Sequence, residues 1–159
     1  VLQIIFAYDY LWINVRVKGG AYGCMCSFTK SGDSYLVSYR DPNLEKTYEI
    51  YKNAAQYVEN FEASDRDMLK YIIGAIAKVD APLTPSMEGS QNFLYYLSGV
   101  TQDELQKIRD EILSTDVAAI RNLAPIVKAV TDADNICAMG DENKIEAAKD
   151  LFKELKTLA

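Results

Sequence analysis

The chain opens with an apolar segment that two consecutive glycines bring to an end. Residues 2–17 are almost all aliphatic or aromatic, with a few polar interruptions. Such a segment is too short and too often interrupted to span a bilayer, so it predicts a helix that is buried on most sides. Gly19 and Gly20 follow, and glycine adopts the left-handed conformation of a helix C-cap without a Cβ clash. The sequence therefore predicts a sharp reversal of the chain directly after this helix.

A cation and a phenol flank the predicted reversal. Arg16 lies in the last turn of the helix and Tyr22 follows the glycines, so we expect the Tyr22 side chain to return near Arg16. Both side chains donate hydrogen bonds, and together they could converge on one anionic or carbonyl oxygen. A structural interpretation is also open, because the helix dipole favours a C-terminal arginine and a tyrosine at a strand start usually packs. The residues by themselves favour this structural interpretation.

The hydrophobic period changes after the glycines from helical to alternating. In residues 21–29 and 34–40, aromatic or apolar side chains recur at every second position, and this alternation predicts two strands. The recurring residues are Tyr22, Cys24, Cys26 and Phe28, and then Tyr35, Val37 and Tyr39. Residues 30–33 are expected to join these strands as a hairpin. Cys24 and Cys26 would then share one face of the first strand.

Most of the remaining sequence is predicted to be helical. Asp41 is placed to cap a helix that starts at Pro42, where a missing N–H group is harmless. A short apolar run at 136–139 predicts a central strand. Strands, then helices, then a strand and a helix is the order of an α+β protein. The other predicted helices are residues 64–79, 85–98 before Gly99, 102–113 behind a Thr101 capping box, 116–130 with a kink at Pro125, and 141–158.

Length and composition indicate one globular domain over residues 1–159, and the order of its predicted elements makes that domain α+β. The chain is 49% hydrophobic and 25% charged, which is enough for a substantial core. A net charge of -6 argues against binding to nucleic acid or to an anionic membrane, because both favour clustered lysine and arginine. The first residues lack the basic region and cleavage site of a signal peptide.

The chain contains no histidine, and this removes several kinds of chemistry. Serine or cysteine triads that use histidine are excluded, and the two glycines lack the pattern of a phosphate-binding loop. The three cysteines, Cys24, Cys26 and Cys137, lack zinc spacing and are expected to be buried free thiols, as in a reducing compartment. Acidic clusters are interpreted as helix caps and solvated faces, against the alternative of a calcium or two-metal site.

Several short runs carry a family resemblance along essentially the whole chain. They are VRVKGGAYG at 15–23, VSYRDPN at 37–43, YIIGAI at 71–76, DAPLTPSMEG at 80–89, YLSGVT at 96–101 and IRDEIL at 108–113. In this order they closely resemble the C-terminal half of presequence-protease-like enzymes. These enzymes are zinc peptidases of the pitrilysin and insulinase type, whose inverted metal motif is H-x-x-E-H.

The resemblance implies a fold and a division of functions between the two halves of the enzyme. It implies an antiparallel or mixed sheet with helices packed mainly on one face, preceded in the family by strands that this chain lacks. The family's zinc lies in the N-terminal half, so zinc is expected in a longer parent protein and not on this histidine-free chain. The function implied is the accessory catalytic and substrate-binding part of a zinc peptidase that degrades unstructured peptides in a closed chamber. The chain alone is expected to be inactive.

The resemblance also assigns roles to particular residues. Tyr22 would donate a hydrogen bond to the tetrahedral oxyanion or an adjacent substrate carbonyl, and Arg16 would hold the peptide backbone. Gly19 and Gly20 belong to the same motif and would contribute positioning and backbone geometry at the substrate. Arg40 and Asp41 also match, where a helix-capping or core ion-pair role is expected.

An alternative from another functional class stays open at this point. Some relatives are noncatalytic and serve as structural or peptide-binding subunits. The expected partners are the N-terminal half of the same polypeptide and unfolded peptides, without nucleic acid or membrane. The chain by itself is expected to self-associate, because surfaces normally covered by the other half would be exposed. A cytoplasmic, bacterial-like location is expected, and an organelle-targeted parent stays open.

Overall fold

The computed structural model describes residues 1–29 and 31–157 and contains a long N-terminal helix, a hairpin and a set of shorter helices. The N-terminal helix comprises the α-helical segment α1 (Leu2–Ile5) and two π-helical segments, Phe6–Tyr10 and Trp12–Val17. The other elements are β1 (Gly23–Phe28), β2 (Ser34–Tyr39), α2 (Leu44–Lys52), α3 (Ala54–Glu59), α4 (Asp65–Val79), α5 (Pro85–Ser98), α6 (Gln102–Leu113), α7 (Val117–Arg121), α8 (Ala124–Asp132), α9 (Glu142–Ala147) and a 3₁₀ turn (Lys149–Leu151).

The N-terminal helix confirms the predicted segment but has wider turns than an α-helix. The Lys18 N–H donates to the carbonyl of Ile13 over 2.9 Å, a span of five residues that is typical of a π-helix. One side of the helix is buried, including Phe6 and Leu11. One stripe of the helix is exposed and its other residues are buried or half-buried, so the prediction of burial on most sides is confirmed. Its exposed large apolar residues are Tyr8, Trp12, Ile13 and Val17.

The two predicted strands form an antiparallel hairpin, and the predicted α+β fold class is confirmed. In its register Met25 faces Val37, and Cys26 faces Leu36. The residues between the strands include Lys30, which lies outside the described part of the chain, so the predicted turn is not described in full. No third strand is present among the described residues.

The N-terminal helix packs on one face of this hairpin. The Gln3 side-chain amide donates to the carbonyl of Cys26 over 2.8 Å, and the rings of Phe6 and Phe28 lie 5.8 Å apart. The opposite face carries exposed side chains, so the described helices lie mainly on one side of the sheet. We call the set of Met25, Tyr35, Val37 and Tyr39 the outer hairpin face.

The helices behind the N-terminal helix complete the core. The Tyr10 hydroxyl donates to the carbonyl of Ile50 over 2.6 Å, and its ring stacks on Tyr57 at 4.5 Å. The Tyr71 hydroxyl donates to the carboxylate of Asp9, which joins α4 to the same helix. Partial burial raises the pKa of Asp9 above its usual value. Within the described residues, none of the helices is both long and apolar enough to cross a bilayer.

Capping signals located several helices correctly. The Thr101 hydroxyl accepts from the backbone N–H of Glu104, while the Glu104 carboxylate accepts from the N–H of Thr101. This capping box starts α6 at Gln102, as predicted. Ser64 caps α4 in a similar way, and Gly99 ends α5 in the left-handed conformation.

Two predicted helices differ from the structure at their proline residues. Helix α2 begins at Leu44, so Pro42 precedes it and is not its first residue. Pro125 lies in the first turn of α8, and α7 is a separate helix. The predicted kink is therefore a helix start, where proline is also tolerated because its missing N–H has no intrahelical partner.

The C-terminal region differs most from prediction. Residues 136–139, predicted as a central strand, form irregular structure, and Met139 is 83% exposed. A run of four residues needs a neighbouring strand to supply hydrogen bonds, but the carbonyl of Cys137 instead accepts from the Tyr48 hydroxyl over 3.1 Å. The predicted final helix ends early, because Phe152 turns to an extended conformation and packs its ring against Tyr48 at 6.3 Å.

We expect Leu11→Ala to destabilise the chain strongly. Leu11 is 0% exposed and lies between the two π-helical segments, so truncation leaves a cavity at the centre of the core. The expected loss is about 2 to 5 kcal/mol in the free energy of unfolding. The matched control is Leu69→Ala on α4, where the side chain is 56% exposed, with an expected change within about 0.5 kcal/mol. Urea denaturation measures both, and equal losses would contradict the assigned core.

Candidate functional site

The Gly19–Gly20 turn connects the N-terminal helix to β1 through two nested hydrogen bonds. The Gly20 N–H donates to the carbonyl of Arg16 over 2.9 Å, and the Ala21 N–H donates to that of Val15 over 3.2 Å. Gly20 has a φ of 80°, a conformation that glycine adopts at little cost. The predicted sharp reversal is therefore present, and its two glycines separate Arg16 from Tyr22 by a short turn.

Gly19 is required for a different reason, which is space. A Cβ atom at this position would lie 2.4 Å from the carbonyl oxygen of Val15, well inside van der Waals contact. The contact is with backbone atoms, so no side-chain rotation relieves it. The residue is also buried, and the turn can close tightly only because no side chain is present.

The segment after β2 is hydrogen-bonded to this turn. The Asn43 side-chain amide donates to the carbonyl of Gly19. The Asp41 carboxylate accepts from the Asn43 N–H over 2.9 Å and from the hydroxyl of buried Thr47 over 2.7 Å. Asp41 therefore orders the segment that precedes α2. Its predicted position as the helix cap was wrong, because Asn43 occupies the N-cap of α2. The contact between Asn43 and Gly19 was missed, because nothing in the spacing of the two runs indicates that they meet.

Arg16 is half-buried on the last turn of the N-terminal helix. Its guanidinium carbon lies 3.9 Å from the centre of the Trp12 ring, one helical turn earlier. Such a cation–π contact restricts the position of the guanidinium. Burial raises the pKa of the Cys24 thiol, and the positive charge of Arg16 opposes that rise. The positive charge of Arg16 therefore acts electrostatically on Cys24 of β1.

Tyr22 stands at the start of the hairpin with its ring largely in solvent, at 67% exposure. Its N–H donates to the carbonyl of Tyr39 over 3.1 Å, and its ring meets the Tyr39 ring edge to face at 6.0 Å. The guanidinium carbon of Arg40 lies 5.8 Å from the centre of the Tyr22 ring. These contacts leave most of the Tyr22 residue accessible to solvent.

Arg16 and Tyr22 thus belong to the same junction but contact different partners. Arg16 stacks on Trp12, whereas Tyr22 packs with Tyr39 and Arg40. Convergence of the two donors on one oxygen stays a prediction. The expected core ion pair of Arg40 was wrong, since this side chain is exposed and rests on aromatic rings.

The cysteines provide no metal centre in the described part of the chain. Burial raises the pKa of Cys26 to about 11, so this thiol stays protonated at neutral pH. Cys24 is half-buried, and Cys137 is exposed, which corrects the expectation that all three are buried. No group of three or more histidine, cysteine, aspartate or glutamate residues within residues 1–29 and 31–157 is arranged to hold a metal ion. These residues do not fit a zinc site.

The N-terminal helix, the Gly19–Gly20 turn and the hairpin together define an α+β half-domain. Residues 1–142 match the PreP C-terminal domain, and the chain belongs to this family. It is 47% identical to Protein HypA of Clostridium perfringens over 158 residues, which cover 99% of the chain. It is 38% identical to Presequence protease 1, chloroplastic/mitochondrial, of Arabidopsis thaliana over 140 residues, or 87% of the chain.

A further relative is also matched over only a small part of its own length. Presequence protease, mitochondrial, of Saccharomyces cerevisiae is 34% identical over 128 residues, or 78% of the chain. The matched regions span only 16% of HypA, 13% of the Arabidopsis protein and 12% of the yeast protein. The chain therefore corresponds to a small part of each relative.

We expect Gly19→Ala to destabilise the turn far more than alanine at a neighbouring glycine. The new Cβ would contact the Val15 carbonyl, and the shift needed to relieve it should cost about 1 to 3 kcal/mol in the free energy of unfolding. The matched control is Gly23→Ala in β1, where a Cβ meets no atom within 4 Å. Thermal unfolding of both variants measures the difference, and a Gly19 variant as stable as the control would contradict the tight turn.

Proposed function

We propose that the chain forms the accessory catalytic and substrate-binding part of a zinc-dependent peptidase that degrades unstructured peptides in a closed chamber. Family membership supports this proposal, since relatives from plants and fungi are named presequence proteases. The single structural observation that carries it is the Gly19–Gly20 turn, which presents an accessible phenol and an oriented guanidinium at one junction. The N-terminal half of a longer polypeptide is the partner that this function requires.

The zinc of such an enzyme would be held outside this chain. The sequence has no histidine, and the described residues do not fit a metal site. The contribution of the chain is therefore limited to the hydrogen bonds that its own donors make to the peptide. Negative charge develops on the former carbonyl oxygen when a peptide bond is attacked, and donors placed there lower the barrier.

Tyr22 is proposed as the donor to that oxygen. Its ring contacts Tyr39 and lies near Arg40 while the residue is largely exposed, so these contacts would orient the donor before the peptide binds. An oriented donor needs little reorganisation during the reaction. A single donor of this kind is typically worth about 10² to 10³ in rate in a chamber that excludes water.

Arg16 is proposed to hold the peptide backbone. The guanidinium carries five N–H donors, and stacking on Trp12 restricts its orientation before any ligand binds. A charged anchor to substrate carbonyls acts in the ground state and in the transition state alike. Gly19 and Gly20 support both side chains by keeping the turn short enough for them to lie at one edge of the hairpin.

Tyr22→Phe and Arg16→Ala should each lower kcat/KM of the complete peptidase without loss of zinc. Tyr22→Phe keeps the ring and removes only the hydroxyl, so the expected loss of about 10² to 10³ is in kcat. Arg16→Ala should also raise KM, because it removes a ground-state anchor. Steady-state cleavage of an unstructured peptide measures both. Arg66→Ala, an exposed arginine at the start of α4, is the control and should cleave at the wild-type rate.

Wild-type rates for both variants of a verified zinc-loaded enzyme would show that the pair is structural. The noncatalytic alternative, a structural or peptide-binding subunit, would then account for the fold. A peptide that still binds but is never cleaved by the wild-type protein would also favour that alternative. Zinc analysis of the complete protein is needed beside the kinetics, since loss of the metal would mimic loss of a donor.

We also propose that the isolated chain self-associates through the outer hairpin face. That face is apolar and exposed, and the edge of β2 has no further strand beside it among the described residues, so it invites pairing. Light scattering at micromolar concentration should give a mass above that of one chain, and Val37→Lys should lower it. Val79→Lys is the matched control, since Val79 is equally exposed but lies at the end of α4. A monomer mass for the wild-type chain would contradict this proposal.

A cytoplasmic location is the compartment that we propose for the protein. The cysteines described are free, and two of them lie on the same strand without bonding to each other. Free thiols are typical of reducing compartments. The similarity to a protein of Clostridium perfringens supports a bacterial-like setting.

A further inference from the structure

Arg40 has an uncommon backbone conformation at the end of β2. Its φ is 49°, in the left-handed region that residues other than glycine seldom occupy. The residues on both sides hold it there. The Tyr39 carbonyl accepts from the Tyr22 N–H over 3.1 Å, and the Asp41 carboxylate accepts from the Asn43 N–H over 2.9 Å. Such conformations persist where the surrounding structure enforces them, and they frequently accompany function.

This conformation places the Arg40 guanidinium against two aromatic rings. Its central carbon lies 5.4 Å from the centre of the Tyr39 ring and 5.8 Å from that of the Tyr22 ring. Both distances are within the range of cation–π attraction. The two rings meet edge to face, with an interplanar angle of 78°. Arg40 and Tyr39 together therefore restrain an otherwise exposed Tyr22 ring.

The contact matters because the backbone alone does not fix this ring. An exposed tyrosine can adopt several staggered side-chain rotamers, and each rotamer moves the hydroxyl by several bond lengths. Catalysis by a donor depends on how often the donor is correctly placed. Arg16 cannot replace Arg40 in this respect, since its guanidinium is stacked on Trp12.

We propose that Arg40 is a positioning residue that holds the Tyr22 ring so that its hydroxyl meets the substrate carbonyl. This inference rests on the proposed function, because it assigns Arg40 to the same site. Arg40 acts through Tyr22 and requires no contact with the peptide. Its effect on the reaction should therefore depend on the presence of the Tyr22 hydroxyl.

A double-mutant cycle in the zinc-loaded complete peptidase tests this dependence. Arg40→Gln, which keeps a long side chain on the same backbone, should lower kcat about three- to tenfold with little change in KM. Arg40→Lys should recover much of this loss, because it restores a cation. In the Tyr22→Phe background, Arg40→Gln should cause no further loss. Arg66→Gln is the control for removal of an exposed arginine and should leave kcat unchanged.

A spectroscopic measurement observes the ring without relying on activity. With 3-fluorotyrosine at position 22, the ¹⁹F resonance should shift on Arg40→Gln and return toward its wild-type position on Arg40→Lys. Near-ultraviolet circular dichroism and zinc content should match the wild type in every variant that is compared. An Arg40→Gln protein that fails this check is replaced by Tyr39→Leu, which should shift the same resonance because it removes the other ring contact of Tyr22.

The outcomes separate the inference from the proposed function. Equal losses from Arg40→Gln with and without the Tyr22 hydroxyl would overturn the inference, as would an unmoved ¹⁹F resonance. A loss in Tyr22→Phe combined with wild-type kcat in Arg40→Gln would overturn the inference alone. Wild-type kcat in Tyr22→Phe would overturn the proposed function and the inference together.

Discussion

The close approach of Gly19 to the Val15 carbonyl is the constraint on which the candidate site depends. A helix that ends this tightly can pass directly into β1, so that Arg16 and Tyr22 share one junction. The amide of Asn43 then binds the Gly19 carbonyl and joins the end of the hairpin to the same turn. Two segments that are distant in sequence, the glycine turn and the chain after β2, are therefore held together at the site.

The parts of the fold that could be predicted from sequence are those decided by local chemistry. The Thr101 capping box and the Ser64 cap each provide a hydrogen bond within one helical turn, so they locate α6 and α4 without reference to the rest of the chain. The change of hydrophobic period after Gly20 located the hairpin in the same way. The glycine turn was also predictable, because positive φ at Gly20 is a property of the residue itself.

Features that depend on distant contacts could not be predicted from the sequence. The run at 136–139 is apolar enough for a strand, but its Cys137 carbonyl is bound by Tyr48 of α2. Phe152 likewise leaves the predicted helix to pack on Tyr48. At the site, the aromatic surroundings of Arg40 arise from the register of the hairpin, which aligns Tyr39 with Gly23 and so places it beside Tyr22. Residue types alone did not indicate that Arg40 lies beside the rings of Tyr22 and Tyr39.

The π-helical turns of the N-terminal helix affect how the position of Arg16 can change among homologues. A π-helical turn accommodates one more residue than an α-helical turn, and each residue of an α-helix advances the side chain by about 100°. Removal of one residue from one of the two π-helical segments could therefore restore α-helical turns in that segment and keep the helix folded. It would also rotate Arg16, together with the turn that follows it, relative to the buried face of the preceding residues. Homologues that keep the domain as a scaffold could thus lose the arginine's position through a single deletion, while every residue of the motif is still present.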